Sequence, residues 1–168
     1  MKKITIALIP ILFVSCSWYG THGRIYQNNR VSGKVILMFH NRISNGFEDH
    51  HNMLVGEVLD NLEEKNLLNI EYLDRQYNAL TFKRSPYFAE YKQVAAGYLF
   101  VTAYSPNFSD VDLKMELYDS NFNLVLTAHH NTFWGNSYFF PPYIARTIKD
   151  AARGAVKAFD RKLIKLNH

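Results

Sequence analysis

Two neighbouring stretches decide the fold: GYLFVTAY at residues 97–104 and DLKMELYDSNFNLVLTAHHN at residues 112–131. The first is an almost uninterrupted apolar run and predicts a central strand. The second begins with strict alternation, which places apolar residues on one face and charged residues on the other, as in a half-buried strand. The polar residues 119–123 are typical of a hairpin turn. The two stretches therefore predict a central strand followed by a β-hairpin.

The chain before residue 97 supplies one strand, one helix and several short elements. The apolar run at residues 34–40 predicts a buried first strand. A helix is predicted from about residue 52 to residue 65, because apolar residues recur there at helical spacing and acidic residues occupy the other face. Residues 69–73 and 80–83 are short strand candidates, and residues 85–93 predict a short helix that begins near a proline.

A long helix ends the chain. Residues 143–166 follow two prolines and carry apolar residues at helical spacing. Two amphipathic helices bury their apolar stripes by covering one face of a sheet. We therefore predict a two-layer α/β (α+β) sandwich. Its mixed sheet has about five strands, and the final helix and the earlier helix lie on one face. Residues 33–168 form this single domain.

The amino-terminal segment has the composition of an export signal. Two lysines precede an apolar run, and the segment ends in LFVSC at residues 12–16. The run is shorter than the ~20 apolar residues of a membrane-spanning helix, and it matches a secretory signal peptide. Cys16 is the single cysteine of the chain, which excludes an internal disulfide. An ordinary signal peptide or an uncleaved anchor is the alternative interpretation.

The sequence LFVSC resembles the lipobox of bacterial lipoproteins. The resemblance implies that the Cys16 thiol receives a diacylglyceryl group, that residues 1–15 are cleaved, and that the new amine is acylated. Phe13 stands where leucine is usual. One acyl chain binds a membrane only marginally, so the several chains of a lipoprotein would anchor the protein stably. Ser17 after the cysteine implies the periplasmic face of the outer membrane, and residues 16–32 are expected to be the lipidated cysteine and a tether.

The domain itself resembles a group of small bacterial envelope lipoproteins. The resemblance spans residues 97–163 and centres on the hairpin LKMELYDSNFNLVL at residues 113–126. The group includes the curli-pore lipoprotein, the lipoprotein activators of penicillin-binding proteins and relatives of the TolB amino-terminal domain. Tyr118 and Asp119 match the hairpin of these families, whereas Asn123 stands where glycine is common. The resemblance implies the fold and an envelope location.

The charge of the chain is mildly positive, with a net charge of +4 and a pI near 9.1. This is less basic than a dedicated nucleic-acid binder, and we expect no nucleic-acid partner. Basic residues recur about every four residues along the final helix. They form either a solvated outer face or a docking face for anionic headgroups, a polymer or an acidic protein. These residues are Arg146, Lys149, Arg153, Lys157, Arg161 and Lys165.

An aromatic segment precedes the final helix. Aromatic residues at this density in a loop either plug the open end of the sandwich or form an anchor for a partner. The residues are Trp134, Tyr138, Phe139, Phe140 and Tyr143.

Histidines are the candidates for metal binding. The candidate set is His40, His50, His51 and His129. Adjacent histidines in one loop do not easily bind one ion, and neighbouring histidines on a strand point to opposite faces. A composite site from His40, His129 and one of the two adjacent histidines is an open hypothesis. We expect no cofactor and assign no catalytic residue, because neither a Gly-x-Ser-x-Gly motif nor a glycine-rich phosphate loop is present.

These observations favour a non-enzymatic, lipid-anchored periplasmic module that binds or assembles with another envelope component, with an envelope protein as the expected partner. A small envelope hydrolase or metal-binding enzyme that uses loop histidines is the first alternative. A subunit of an oligomeric envelope assembly is the second.

Overall fold

A computed structural model describes residues 20–42, 48–104, 111–132 and 144–167 of the 168-residue chain. In chain order, the described elements are β1 (Thr21–Ile25), β2 (Lys34–Arg42), α1 (Glu48–Glu64), β3 (Asn69–Gln76), α2 (Ala79–Lys83), α3 (Pro86–Tyr91), β4 (Gly97–Tyr104), β5 (Asp112–Asp119), β6 (Leu124–Asn131) and α4 (Ile144–Asn167).

The strands form one mixed sheet in the order β1-β6-β5-β4-β2-β3. β2 pairs in parallel with both β3 and β4, and the other neighbours pair antiparallel. The described part of the chain thus has six strands where the sequence predicted about five. The α+β class, the central strand β4 and the hairpin of β5 and β6 are confirmed.

One face of the sheet is covered by α1 and α4, as predicted. The inward residues of β2, β4 and β5 form a continuous apolar core with the apolar stripes of these two helices. Fully buried members of this core are Leu37, Val101, Met115, Leu54, Val58, Leu62, Ile148, Ala155 and Phe159. The bounds of α4 lie within one residue of the predicted helix, and α1 begins four residues earlier than predicted.

The opposite face carries a second, aromatic core beneath α2 and α3. Phe82 and Phe88 from these helices pack on Tyr98 and Phe100 of β4, and Phe122 of the hairpin turn completes the cluster. Part of the sheet is therefore covered on both faces.

The strand candidate at residues 80–83 is wrong, because these residues lie in α2. The helix is fixed by a capping box. The Asn78 side chain accepts a hydrogen bond from the Thr81 backbone N–H at 2.9 Å. The Thr81 hydroxyl in turn accepts one from the Asn78 backbone N–H at 3.1 Å.

The tether prediction for residues 16–32 is wrong at residues 21–25, which form β1. This strand pairs antiparallel with β6, from Thr21 opposite His130 to Ile25 opposite Leu126. Pairing satisfies backbone groups that β6 would otherwise leave open at the sheet edge. The segment after β1 is also attached to the domain, because the Asn29 side chain donates a hydrogen bond to the Asp119 carboxylate at 3.0 Å.

Histidine side chains attach β1 to β6. Nδ1 of His22 lies 3.3 Å from Nδ1 of His129, whose Nε2 contacts the Asp112 carboxylate. On the helix side, the Thr21 hydroxyl bonds Nδ1 of His130. The ring of His130 also packs against α4 at Gly154, where a Cβ atom would collide with the ring. Burial, and to a lesser degree the neighbouring His129, lowers the pKa of His130 and of His22.

The lowered histidine pKa values predict a loss of stability in mild acid. Between the folded-state pKa and the ordinary value of 6.5, the unfolded chain binds more protons than the folded chain. The free energy of unfolding should therefore decrease as the pH falls below 6.5. Denaturant titrations at pH 7.5, 6.5 and 5.5 measure this dependence. The double variant His22→Asn/His130→Asn should flatten it. His51→Asn on α1 is the matched control and should retain the wild-type slope; equal slopes in all three proteins would contradict the prediction.

The aromatic core predicts an unusual response at Tyr98. Its hydroxyl is fully buried and has no hydrogen-bond partner among the described residues, and a buried unsatisfied polar group costs about 1–3 kcal/mol. Tyr98→Phe should leave the free energy of unfolding unchanged or raise it by up to about 2 kcal/mol. Phe82→Ala, the packing control, should lower it by about 3–5 kcal/mol. Chemical denaturation monitored by circular dichroism tests both, and a clear loss of stability in Tyr98→Phe would contradict the account.

Candidate interaction surface

The outer face of α4 is strongly basic. The helix carries seven basic and two acidic residues. Two members of the predicted basic set are engaged within the chain: Lys149 pairs with Glu57 of α1 at 2.9 Å, and Arg146 approaches Asp150 at 3.9 Å. The other four are exposed and form no ion pair within the described ranges; they are Arg153, Lys157, Arg161 and Lys165.

A groove of about 480 Å³ runs between β1 and the carboxyl-terminal half of α4. Thr21, His22 and Gly23 line the strand side. Arg161, Lys162, Ile164 and Lys165 line the helix side, where the isoleucine side chain is 48% exposed. β1 is the edge strand on this flank, so one side of its backbone has no neighbouring strand in the described sheet. The groove therefore combines positive charge with an apolar contact and lies beside an open strand edge.

The other helix of the same layer is acidic. α1 carries six acidic residues and no lysine or arginine. Three of them are exposed and form no ion pair in the part of the chain that the structure describes; they are Asp60, Glu63 and Glu64. Glu63 and Glu64 occupy the last turn, where the helix macrodipole disfavours negative charge, and that turn contains no basic residue.

A second groove, of about 470 Å³, lies at the end of α1. It is lined by Glu63 and by the start of β3, including Leu67, Leu68 and Ile70. β3 is the edge strand opposite β1. The helix layer therefore has a basic flank at the β1 edge and an acidic flank at the β3 edge.

Two ion pairs fix how the helices run. Glu57 pairs with Lys149 near the start of α4, and Lys65, just after α1, pairs with Asp160 at 3.1 Å further along. The second ion pair lies closer to the carboxyl-terminal end of both helices than the first. α1 and α4 are therefore parallel, and their carboxyl-terminal ends lie side by side. The two grooves are consequently at the same end of the layer, on opposite flanks.

The histidine candidates do not converge. His40 on β2 is separated from His129 on β6 by two intervening strands, because its row in the sheet passes through Thr102 and Lys114. Three strand spacings of ~4.8 Å separate the two histidines by roughly 14 Å. His50 and His51 lie on α1, and Asn41 contacts Nδ1 of His51 at 3.3 Å. The described residues contain no group of three or more metal-ligating side chains suited to an ion.

Several predicted residues lie outside the described ranges. They are Cys16 and the aromatic set Trp134, Tyr138, Phe139, Phe140 and Tyr143. Within the described ranges, no helix has the length and apolar character that crossing a membrane requires.

Sequence reasoning missed part of the surface. Lys162 departs from the spacing of four, and His22 lies in what was predicted to be a tether. The acidic face of α1 was predicted, but its position on the flank opposite the basic groove was not. A count of charges in each helix would have shown that α1 is acidic overall, since α1 has no basic residue.

Comparison with known proteins adds information on the fold. No protein-family model matches this chain, and no curated protein matches it. Among solved structures, the PelC dodecamer from Paraburkholderia phytofirmans aligns over 83% of this chain and 96% of its own, with a TM-score of 0.52 and 11% identity. A variant of the same protein in another crystal form gives a TM-score of 0.51 with the same coverage and identity. The hypothetical protein CT253 from Chlamydia trachomatis aligns over 80% of this chain and 94% of its own, with a TM-score of 0.46 and 10% identity. The likeness to PelC shows a shared fold.

Proposed function

We propose that this protein is a lipoprotein of the bacterial cell envelope, anchored by lipid on Cys16 at the periplasmic face of the outer membrane. Its folded domain acts as a non-enzymatic module that binds or assembles with another envelope component. The observation that carries the binding role is the basic face of α4, where four exposed cations have no ion-pair partner among the described residues.

The basic face is not explained by the stability of the helix. Arg153, Lys157, Arg161 and Lys165 follow one another at intervals of four residues. Like charges at this spacing destabilise a helix by about 0.2–0.5 kcal/mol per pair. A bound anionic surface relieves this repulsion, whereas water and salt only screen it. The arrangement therefore favours an anionic partner.

The proposed anchor holds the domain close to the bilayer. Cys16 precedes the first residue of β1 by five positions. Because an extended chain spans at most ~3.6 Å per residue, lipid on Cys16 would lie within roughly 18 Å of Thr21. The module is thus suited to act on components at the membrane surface. PelC, which shares the fold, is described as a dodecamer, and this supports assembly as one form of the proposed role.

The anchor is tested by metabolic labelling. Cys16→Ser should abolish incorporation of radioactive palmitate and move the protein out of the outer-membrane fraction. Ser17→Ala is the control and should be labelled like the wild type. Labelling that persists in Cys16→Ser would refute lipidation at this residue.

The basic face is tested by crosslinking in intact envelopes. Arg153→Glu/Lys157→Glu reverses two exposed charges and should reduce capture of the anionic partner at least tenfold, because attraction becomes repulsion. Arg84→Glu/Lys92→Glu makes the same change in net charge at exposed residues flanking α3. This control should capture the partner normally. Equal capture by both double variants would contradict a role for α4.

A further inference from the structure

We propose that the anionic partner of the α4 flank is the acidic flank of α1 on a second copy of this chain, so that copies associate head to tail. The proposal rests on the binding role of α4 proposed above and names the partner of that surface. It commits to contact between the β1 groove of one copy and the β3 groove of the next.

The first argument is charge complementarity between opposite flanks of one molecule. Arg161, Lys162 and Lys165 line the groove at the β1 edge, and Glu63 lines the groove at the β3 edge. Neither Arg161 nor Glu63 has an ion-pair partner in the described ranges. A second copy placed beside the first brings these flanks together, and the unpaired charges of each then face charges of the opposite sign.

The second argument is position. α1 and α4 are parallel, and the ion pairs between them place both grooves at the same end of the helix layer. Glu57 faces α4 of its own chain, whereas Glu63 lies six residues further on, which places it ~120° away around the helix axis at 3.6 residues per turn. The Glu63 side of α1 is thus directed away from its own α4. A sideways displacement of one copy, together with a rotation, brings the two grooves into contact.

The third argument is that both grooves contain apolar residues. Ile164 projects at the basic groove with half of its surface exposed, and Leu67 and Leu68 are partly exposed in the acidic groove. Contact between these residues adds apolar burial to the attraction of the charges. It would also cover the open edges of β1 and β3.

A second copy explains more than an anionic membrane does. Lipid headgroups would satisfy the basic flank and would leave Asp60, Glu63 and Glu64 without a partner. The two acids in the last turn of α1 oppose the helix macrodipole and form no ion pair within the described chain, where the nearby Lys65 pairs with Asp160. A neighbouring α4 supplies cations for them. Because the two surfaces differ, the contact is heterologous and generates a ring when the rotation closes and a filament when it does not.

Charge exchange between two variants tests the contact. Arg161→Glu/Lys165→Glu makes both flanks acidic, and Asp60→Lys/Glu63→Lys makes both flanks basic. The full-length mature protein in a non-ionic detergent is examined by sedimentation at low and moderate salt.

The wild type should self-associate, and its self-association should weaken at higher salt. Each variant alone should associate at least tenfold more weakly, because its flanks repel. An equimolar mixture should recover wild-type association, since each flank of one variant then meets the opposite charge on the other.

The mixture also controls for misfolding, because a variant that fails to fold cannot restore assembly. Arg84→Glu/Lys92→Glu should associate like the wild type. A monomeric wild type, or a mixture that stays dissociated, overturns the proposal. Vesicles containing phosphatidylglycerol provide a further comparison. If Arg161→Glu/Lys165→Glu loses vesicle binding but associates normally, headgroups rather than a second copy occupy the flank. In either case the palmitate labelling of Cys16 and envelope crosslinking through Arg153 and Lys157 stand as separate tests of the proposed function.

Discussion

The parallel pairing of β2 with both of its neighbours is the constraint on which the rest of the structure depends. The chain leaves β2, crosses to β3 on one side, and then crosses back over β2 to reach β4 on the other. Crossovers between parallel strands share one hand. Two crossovers in opposite directions can share a hand only if they pass over opposite faces, so α1 lies on one face and α2 and α3 on the other. The aromatic core under α2 and α3 follows directly, because the returning connection has to bury its own apolar side chains.

The parallel pairing of β2 also places the acidic helix α1 and the basic helix α4 toward opposite edges of the sheet. α1 joins β2 to β3 and so belongs to the β3 edge, whereas α4 follows β6 and packs over the strands near the β1 edge. Where the helices touch, Glu57 meets Lys149 and Lys65 meets Asp160. Partly exposed ion pairs of this kind contribute at most about 1 kcal/mol each. Apolar burial therefore holds the layer together, and the surplus charge is left on the two outer flanks.

The elements that were predicted correctly from the sequence are those with long, regular residue patterns. The alternation in β5, the apolar run of β4 and the period of α4 each specify an element, and two amphipathic helices imply a common sheet face. Two short elements were not predicted. β1 has only five residues and no clear alternation. Residues 80–83 lie in a helix that the hydrogen bonds between Asn78 and Thr81 fix at its start. The recurrence of basic residues every four positions correctly indicated the exposed cations of α4. The groove beside these cations could not be predicted, because β1 forms one of its sides and was not predicted. The acidic flank could not be predicted either, because only the tertiary contacts determine which side of α1 faces outward.

The polar side chains around β1 and the hairpin have partners within the chain. Both ring nitrogens of His129 already have neighbours, Asp112 on one side and His22 on the other. Asp119 accepts from the Asn123 backbone at 2.8 Å and from Asn29, and although burial alone would raise its pKa, these hydrogen bonds lower the pKa. Such groups serve the attachment of β1 and of the hairpin. The charges of α1 and α4 that lack an ion-pair partner within the described chain lie at the solvent surface of the helix layer, where they are accessible to a charged surface.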